Sequence, residues 1–321
     1  MHEEMRSKAC VDVLIAVWNN AGTIERAARS ALSDAHVNNV IVIDDGSTDD
    51  TASVVSSLKD QAGDRLILRR VERNGGPAVA RNHGLELSTA PWVAILDGDD
   101  YFLPNRMKAL LDASEGADFI ADDQVQIKEE GGNAEFLIGH SATMTIDLAT
   151  FVTENLSNGP RLRKEFGFLK PIMRRSFLDS HQLRYDEQLR LGEDFALYTR
   201  ALAAGAIFRI VPARTYASIV RSGSISGHHT KVDLERLRDS SRSLGQLPRL
   251  TDRERVLLRM HYEAIDARIQ WLNVIDAVKC RSIAAFLPPF FVRRTTSIYL
   301  AGRLWEQVVL RSKKSLGLVG S

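Results

Sequence analysis

Pro91-Trp92-Val93-Ala94-Ile95-Leu96-Asp97-Gly98-Asp99-Asp100 joins an apolar run to three carboxylates. Five apolar residues in succession, 92–96, read as a strand buried on both faces, as in a parallel sheet. The acids then fall at its carboxyl end, where open α/β sheets place their ligands. Asp97 and Asp99 are two apart and point to one side of extended backbone. Gly98 between them permits close approach of a ligand or an unusual backbone angle. Two carboxylates on one side of a strand tip repel unless a cation or donors sit between them. A hard divalent ion that also holds phosphate oxygens meets that need. Taken alone, the tripeptide fits a solvated acidic turn equally well, so the flanking chain has to decide.

Upstream, residues 11–17 are apolar and β-branched, a first strand ending in Trp18-Asn19-Asn20. Thr23 is placed to cap a helix that carries Ile24, Ala27, Ala28, Ala31 and Leu32 on one face. Val40-Ile41-Val42-Ile43 is a second buried strand ending in acids, Asp44-Asp45-Gly46-Ser47-Thr48-Asp49-Asp50, and Asp49 or Asp50 caps the next helix. A third strand at 66–68, a loop at 72–77 and a helix at 78–87 lead into the run quoted above. This alternation predicts a parallel sheet with crossover helices, and it brings two Asp-bearing strand ends to one edge. Downstream, a helix holds Met107, Leu110 and Leu111. Strand character returns at 118–121, and 128–133 reads as a polar turn. Residues 151–170 show no clear period. A strand enters a helix at 171–176, Gly192-Glu193-Asp194 opens a helix over 195–204, and 208–211 is a strand. Beyond Thr230 the period is helical through Leu234, Leu237, Leu244 and 256–278.

The 321 residues carry 42 Lys and Arg against 41 Asp and Glu, a balance that gives no sign of nucleic-acid binding. Cys10 and Cys280 have no metal-ligand spacing, so a reduced, cytoplasmic setting is expected. Residues 1–8 are polar and lack the apolar core of a signal peptide, and no apolar run reaches the roughly 18 residues of a membrane span.

There is no G-x-G-x-x-G after the first strand and no G-x-x-x-x-G-K-[ST], which weakens a dinucleotide reading and excludes a P-loop. A nucleotide held by acids needs its phosphates neutralised, and Mg²⁺ or Mn²⁺ would do this. One acid of the second strand could accept from a base N–H, another could take ribose hydroxyls. Glu193 and Asp194 sit where the helix dipole favours acids, either as a plain cap or as a general base. An ordinary Asp, with a pKa of about 3.9, is too acidic for that task at neutral pH, and burial beside other carboxylates would raise it.

Val13-Leu14-Ile15-Ala16-Val17-Trp18-Asn19, Ile43-Asp44-Asp45-Gly46-Ser47-Thr48-Asp49-Asp50-Thr51, Asn74-Gly75-Gly76-Pro77-Ala78-Val79-Ala80-Arg81-Asn82, Leu96-Asp97-Gly98-Asp99-Asp100 and Gly192-Glu193-Asp194 occur in this order. Together they resemble glycosyltransferase family 2, inverting enzymes of the GT-A fold. Within it, the sequence most resembles bacterial exopolysaccharide glucosyltransferases of the succinoglycan type. The resemblance covers about 11–226. It implies an α/β catalytic domain, a Rossmann-like, mostly parallel sheet with flanking helices, over 9–228. The nucleotide half would be about 9–125, the acceptor half about 126–228, and 229–321 a helical C-terminal extension. It implies nucleotide-sugar contacts from Ala16, Trp18, Asn19, Asp45, Arg81 and Asp97, with Trp18 standing where tyrosine is usual and Asp45 on the base. Arg81 would lie near the donor or pair the acidic edge. Asp99 would hold the metal, Mn²⁺ or Mg²⁺. Asp194 would be the base and Glu193 its support or an acceptor contact. Arg221-Ser222-Gly223-Ser224-Ile225-Ser226 resembles the family's final loop, often near the diphosphate, and His228 and His229 follow it.

The implied donor is a UDP-sugar, with UDP-glucose first. The implied acceptor is an oligosaccharide on polyprenyl diphosphate in exopolysaccharide biosynthesis, with lipopolysaccharide or capsule as the alternative. A sugar nucleotidyltransferase would need a glycine- and base-rich phosphate loop, which Asn19-Asn20-Ala21-Gly22 lacks. A non-catalytic sugar-nucleotide-binding subunit would not need both acid motifs. The apolar stretch 283–292, followed by Arg293, Arg294, Arg303, Arg311, Lys313 and Lys314, suggests peripheral contact with an anionic membrane, at the inner face of the plasma membrane. The same stretch also fits a helical tail packed on the catalytic domain or in a homo-oligomer.

Overall fold

The computed structural model describes residues 10–128, 134–156, 166–220 and 230–315. The loop 221–226, His228, His229 and the turn at 129–133 lie outside the described residues.

The chain runs β1 (Val11–Val17), α1 (Ile24–Leu32), β2 (Val37–Asp44), α2 (Thr51–Ala62), β3 (Leu66–Arg70), α3 (Pro77–Leu87), β4 (Trp92–Ile95), β5 (Tyr101–Phe102) and α4 (Arg106–Leu111). It continues with β6 (Phe119–Lys128), β7 (Glu135–Phe136), β8 (Met144–Ile146), α5 (Leu148–Glu154), β9 (Ile172–Arg174), α6 (Arg175–Ser180), α7 (Glu193–Ala203) and β10 (Phe208–Val220). Helices α8 (Lys231–Leu244), α9 (Asp252–Lys279), α10 (Ile283–Phe286) and α11 (Arg294–Ser315) complete it, with a 3₁₀ turn at Pro288–Phe291 before α11.

The strands form one sheet in the order β3-β2-β1-β4-β9-β6-β10-β5. β1, β2, β3 and β4 are parallel, as the alternation predicts. From β4 outward the sheet is mixed, because β9 enters antiparallel between β4 and β6. The chain leaves β1 toward β2 and β3, then returns to place β4 on the other side. That reversal opens a crevice at the carboxyl ends of β1 and β4, where such sheets bind ligands.

β4 is buried along its whole length, and Leu96, just past it, is buried too. β2 starts three residues before the predicted Val40 and takes in Asn38 and Asn39. Strand propensities span about 1 kcal/mol, whereas burying a Val or Ile contributes about 1.5–3 kcal/mol, so Val40 to Ile43 override the two asparagines. Their polar groups are satisfied as well: the Asn38 amide and the Asn39 N–H both donate to Asp12 Oδ1.

The caps differ from expectation. Thr23 precedes α1, but its hydroxyl donates across the crevice to the Gly98 carbonyl at 2.8 Å instead of capping the helix. Asp50 occupies the N-cap position of α2 without a side-chain cap, while Asp49 accepts from the Thr51 N–H and from its hydroxyl. Helices α8 and α9 begin with complete capping boxes, Thr230 with Asp233 and Thr251 with Glu254. Helix α9 packs against α5, and α8 against α7.

Candidate active site

The tip of β4 lies against the tip of β1. A Cβ on Gly98 would come within 2.5 Å of Val17 Cγ1, so this position admits only glycine at the observed spacing. Asp97 is partly exposed there. Its Oδ1 accepts from Arg81 Nη2 at 2.9 Å and its Oδ2 pairs with Lys170 Nζ at 3.1 Å. Arg81 comes from α3 and Lys170 from the segment before β9.

The same two cations meet the acids of α7. Arg81 Nη1 donates to Asp194 Oδ1 at 2.9 Å and to Glu193 Oε1 at 2.8 Å, and Lys170 Nζ donates to Asp194 Oδ2 at 2.8 Å. Asp97 and Asp194 are therefore bridged twice, once by each cation, in a closed ring of four buried or half-buried charges. Gly192 opens α7 in the left-handed region, φ 74°, and turns both acids inward. Burial works against charge on Asp97, but Lys170 and Arg81 outweigh it and hold its carboxyl at about 2. Burial disfavours charge on Arg81 and Lys170 as well, yet Asp194 and Asp97 keep both cations above their ordinary values. Burial raises Glu193, against the pull of Arg81.

Three further side chains fix this ring. The fully buried Arg106 of α4 pairs with Asp122 at 2.9 Å and donates to the Lys170 carbonyl at 2.6 Å, anchoring the backbone that carries the lysine. The Tyr216 hydroxyl of β10 accepts from the Asp97 N–H at 3.2 Å and donates to Asp100 Oδ2 at 2.9 Å. Burial, with the Asp97 charge next to it, pushes Asp100 up to about 7. The Tyr185 ring lies under the Arg81 guanidinium at 5.4 Å. Burial and the Asp194 charge push its phenol well above its ordinary value.

The remaining expected contacts line the crevice. Ala16 is near the end of β1, and the Trp18 ring just beyond it is 44% exposed. Asn19 adopts φ 55°, and its amide oxygen accepts from the Thr48 N–H, tying the β1 tip to the loop after β2. Asp45 is buried, and its two oxygens accept from the N–H groups of Gly75 and Gly76 at 2.9 and 2.8 Å. Burial raises its pKa against those two donors. It thereby holds the turn that starts α3, four residues before Arg81. Each oxygen keeps a second lone pair for a ligand. Arg81 pairs Asp97, Glu193 and Asp194, and does so in the cleft where the donor contacts are expected.

Asp99 is partly exposed at the strand tip, its backbone carbonyl held by Arg26 Nη2 at 2.8 Å. Among the described residues no three His, Cys, Asp or Glu side chains converge as a protein cage for a metal would. A Mg²⁺-type ion held by one carboxylate and substrate phosphates needs no such cage. Asp99 fits that donor set. A metal ion on Asp97 would lie against Arg81 and Lys170, which already hold its two oxygens, so like-charge repulsion disfavours Asp97 as a second protein ligand.

Lys170, Arg106 and Tyr216 were not among the expected site residues. Lys170 falls in the stretch without periodicity, and Tyr216 falls past Pro212, where the strand reading at 208–211 stops.

Comparison with known proteins bears on this arrangement. The family model described as glycosyl transferase family 2 matches residues 12–178. The succinoglycan biosynthesis protein ExoU of Rhizobium meliloti (strain 1021) is 44% identical over 269 residues, 83% of this chain and 78% of that protein. ExoO of the same strain is 35% identical over 221 residues, 67% of this chain and 62% of that protein. An Escherichia coli protein, UDP-Glc:alpha-D-GlcNAc-diphosphoundecaprenol beta-1,3-glucosyltransferase WfaP, is 36% identical over 98 residues, 30% of this chain and 38% of that one. Among solved structures, S. aureus TarS 1–349 in complex with UDP-GlcNAc superposes with a TM-score of 0.63 at 17% identity, over 86% of this chain and 89% of that one. That likeness identifies the fold as GT-A. The family model spans just over half the chain and a close relative spans most of it, so this protein belongs to glycosyltransferase family 2 and is a glycosyltransferase.

Proposed function

We propose that the protein transfers glucose from UDP-glucose, with inversion, to a hydroxyl of an oligosaccharide carried on polyprenyl diphosphate, in bacterial exopolysaccharide biosynthesis at the inner face of the plasma membrane. The observation that carries the chemistry is the double bridge of Arg81 and Lys170 between Asp97 and Asp194, which brings the strand-tip acids and the α7 acids to one cleft. UDP-glucose and the lipid-linked acceptor are supported by the activity named for the E. coli relative, and the pathway by the succinoglycan proteins. We assign the catalytic unit to roughly residues 9–228, with the nucleotide half to about 125, and the remainder to a helical extension.

Asp194 takes the proton of the acceptor hydroxyl. Its two oxygens each face one cation, but a carboxylate offers about four lone-pair sites, so a hydroxyl can donate without displacing Arg81 or Lys170. The oxygen then attacks the anomeric carbon from the face opposite the nucleoside diphosphate, giving a β-linked product from an α-linked donor. Ala16, Trp18, Asn19 and Asp45 receive the uridine, Trp18 by stacking and Asp45 through a base N–H. Asp97, kept ionised by Lys170 and Arg81, faces the ribose, and Glu193 supports Asp194 through Arg81. A Mn²⁺ or Mg²⁺ ion held by Asp99 would neutralise charge growing on the leaving diphosphate.

The test is UDP release from a panel of UDP-sugars, with extracted lipid-linked oligosaccharides as acceptors and Mn²⁺ or Mg²⁺ present. UDP-glucose is expected to turn over fastest. Faster turnover of another UDP-sugar would replace the donor, and turnover of none would remove the reading.

A further inference from the structure

The C-terminal helices carry more apolar surface than their packing uses. On α11, Thr296 and Leu300 are buried, and the helix packs on α9. The Arg303 guanidinium lies over the Trp271 ring of α9 at 5.6 Å. A second stripe faces solvent: Ile298, Ala301, Gly302, Trp305 and Val308 are all exposed. Their spacing of 3, 4, 7 and 10 from Ile298 puts them on one side of the helix. At the turn between α9 and α11, Ile283 is 77% exposed and Phe291 81% exposed, with Leu287 and Val292 beside them. Trp305, on α11, is 69% exposed.

The charge around this surface is one-sided. From Asp276 to Ser315 the sequence holds Lys279, Arg281, Arg293, Arg294, Arg303, Arg311, Lys313 and Lys314 against two acids, Asp276 and Glu306, which pair on the surface with Lys279 at 4.0 Å and Arg303 at 2.7 Å. Arg293 turns inward, donating to Asp266 at 2.7 Å, and so pins the start of α11 to α9. Lys279, Arg281 and Arg294 are exposed around the apolar turn. None of the helices is long and apolar enough to cross a membrane among the described residues. A second copy of the chain, docked through the same face, would bring these cations against one another. An apolar surface with Trp and a cationic rim instead matches the boundary between headgroups and acyl chains.

We propose that the turn between α9 and α11, with the outer stripe of α11, binds an anionic phospholipid bilayer from one side. Ile283, Phe291 and Trp305 enter the acyl boundary, and Lys279, Arg281 and Arg294 meet the headgroups. This goes beyond the transfer reaction and does not depend on donor or base.

Flotation of the full chain tests it, with vesicles of phosphatidylcholine alone or mixed in equal parts with phosphatidylglycerol. The protein is expected to float with the mixed vesicles and to remain at the bottom with neutral ones. Changing Lys279, Arg281 and Arg294 to Gln should weaken binding about fivefold per cation, about a hundredfold together. Ile283→Ser with Phe291→Ser and Trp305→Ser should abolish flotation while the thermal midpoint stays unchanged. Should that triple variant not melt cooperatively, Phe291→Ser alone replaces it and is expected to float at least several-fold less. No flotation, equal flotation on neutral lipid, or serine variants that float like the parent would each overturn the proposal. So would a parent dimer in sedimentation that Phe291→Ser dissociates. Flotation reads no turnover, so a failed transferase assay leaves this result standing.

Discussion

Lys170 Nζ sits 2.8 Å from Asp194 Oδ2, with both side chains over nine-tenths buried. Breaking an isolated buried pair costs about 3–5 kcal/mol; here Arg81 stays on both Asp194 and Asp97, so the loss of Lys170 costs less than that but leaves one oxygen of each acid without its cation. Lys170→Met should therefore lower the thermal midpoint and slow turnover by more than tenfold, while Lys170→Arg should recover part of both. Differential scanning calorimetry and steady-state UDP release measure the two effects. A methionine variant as stable and active as the parent would show that the bridge is incidental.

Asp100 sets a pH dependence of stability in metal-free buffer. Its folded pKa of about 7 exceeds the ordinary 3.8, so between those values the folded state binds the extra proton. Stability then falls as pH rises through this window, by at most about 1.4 kcal/mol for each step of one in pH, and is level above it. Asp100→Asn, which cannot ionise, should reduce the slope between about pH 4 and 7, leaving the part that the raised Asp45 and Glu193 carboxyls contribute. Thermal melts at half-unit intervals read it, and an unchanged slope in the variant would assign the dependence elsewhere.

Gly192 couples the C-terminal helices to the candidate base. A Cβ there would meet Leu237 Cδ1 of α8 at 2.5 Å, on backbone at φ 74°. The left-handed angle costs a non-glycine residue about 1–2 kcal/mol and overpacking about 1–3 more. Gly192→Ala should lose both, and Leu237→Ala in the same chain should return the second part. Urea denaturation of the four chains gives the coupling, expected at about 1 kcal/mol or more in favour of the double variant. Strict additivity would mean that the two residues do not touch.

Asp99→Ala should weaken UDP binding in the presence of Mn²⁺ by tenfold or more and leave metal-free binding unchanged. Calorimetric titration with and without the ion makes the comparison. Equal affinities in parent and variant would take the metal away from Asp99.

The parallel half of the fold was legible because β1, β2 and β4 are short apolar runs that end abruptly in polar residues, a pattern that burial on both faces imposes. Asp97 and Asp194 were legible for the related reason that acids at strand and helix ends stand out from apolar neighbours. Lys170 was not. It lies between a stretch without periodicity and the short β9, and its partners are 73 and 24 residues away in sequence, brought near by Arg106 and by the insertion of β9. Tyr216 escaped because β10 continues past Pro212 with a register shift against β6. Local sequence offers Thr23 a helix N-terminus to cap. The crevice, which only the sheet assembles, offers it the Gly98 carbonyl instead.

The proposed chemistry turns on Asp194 taking the acceptor's proton in the cleft that Arg81 and Lys170 assemble. Asp194→Asn keeps the side-chain shape and removes the base, so turnover and UDP affinity of that variant are to be measured side by side. A loss of about 10²–10⁴ in kcat is expected, with UDP affinity within a few-fold of the parent. Near-parental turnover in a folded Asp194→Asn chain would contradict this role for Asp194.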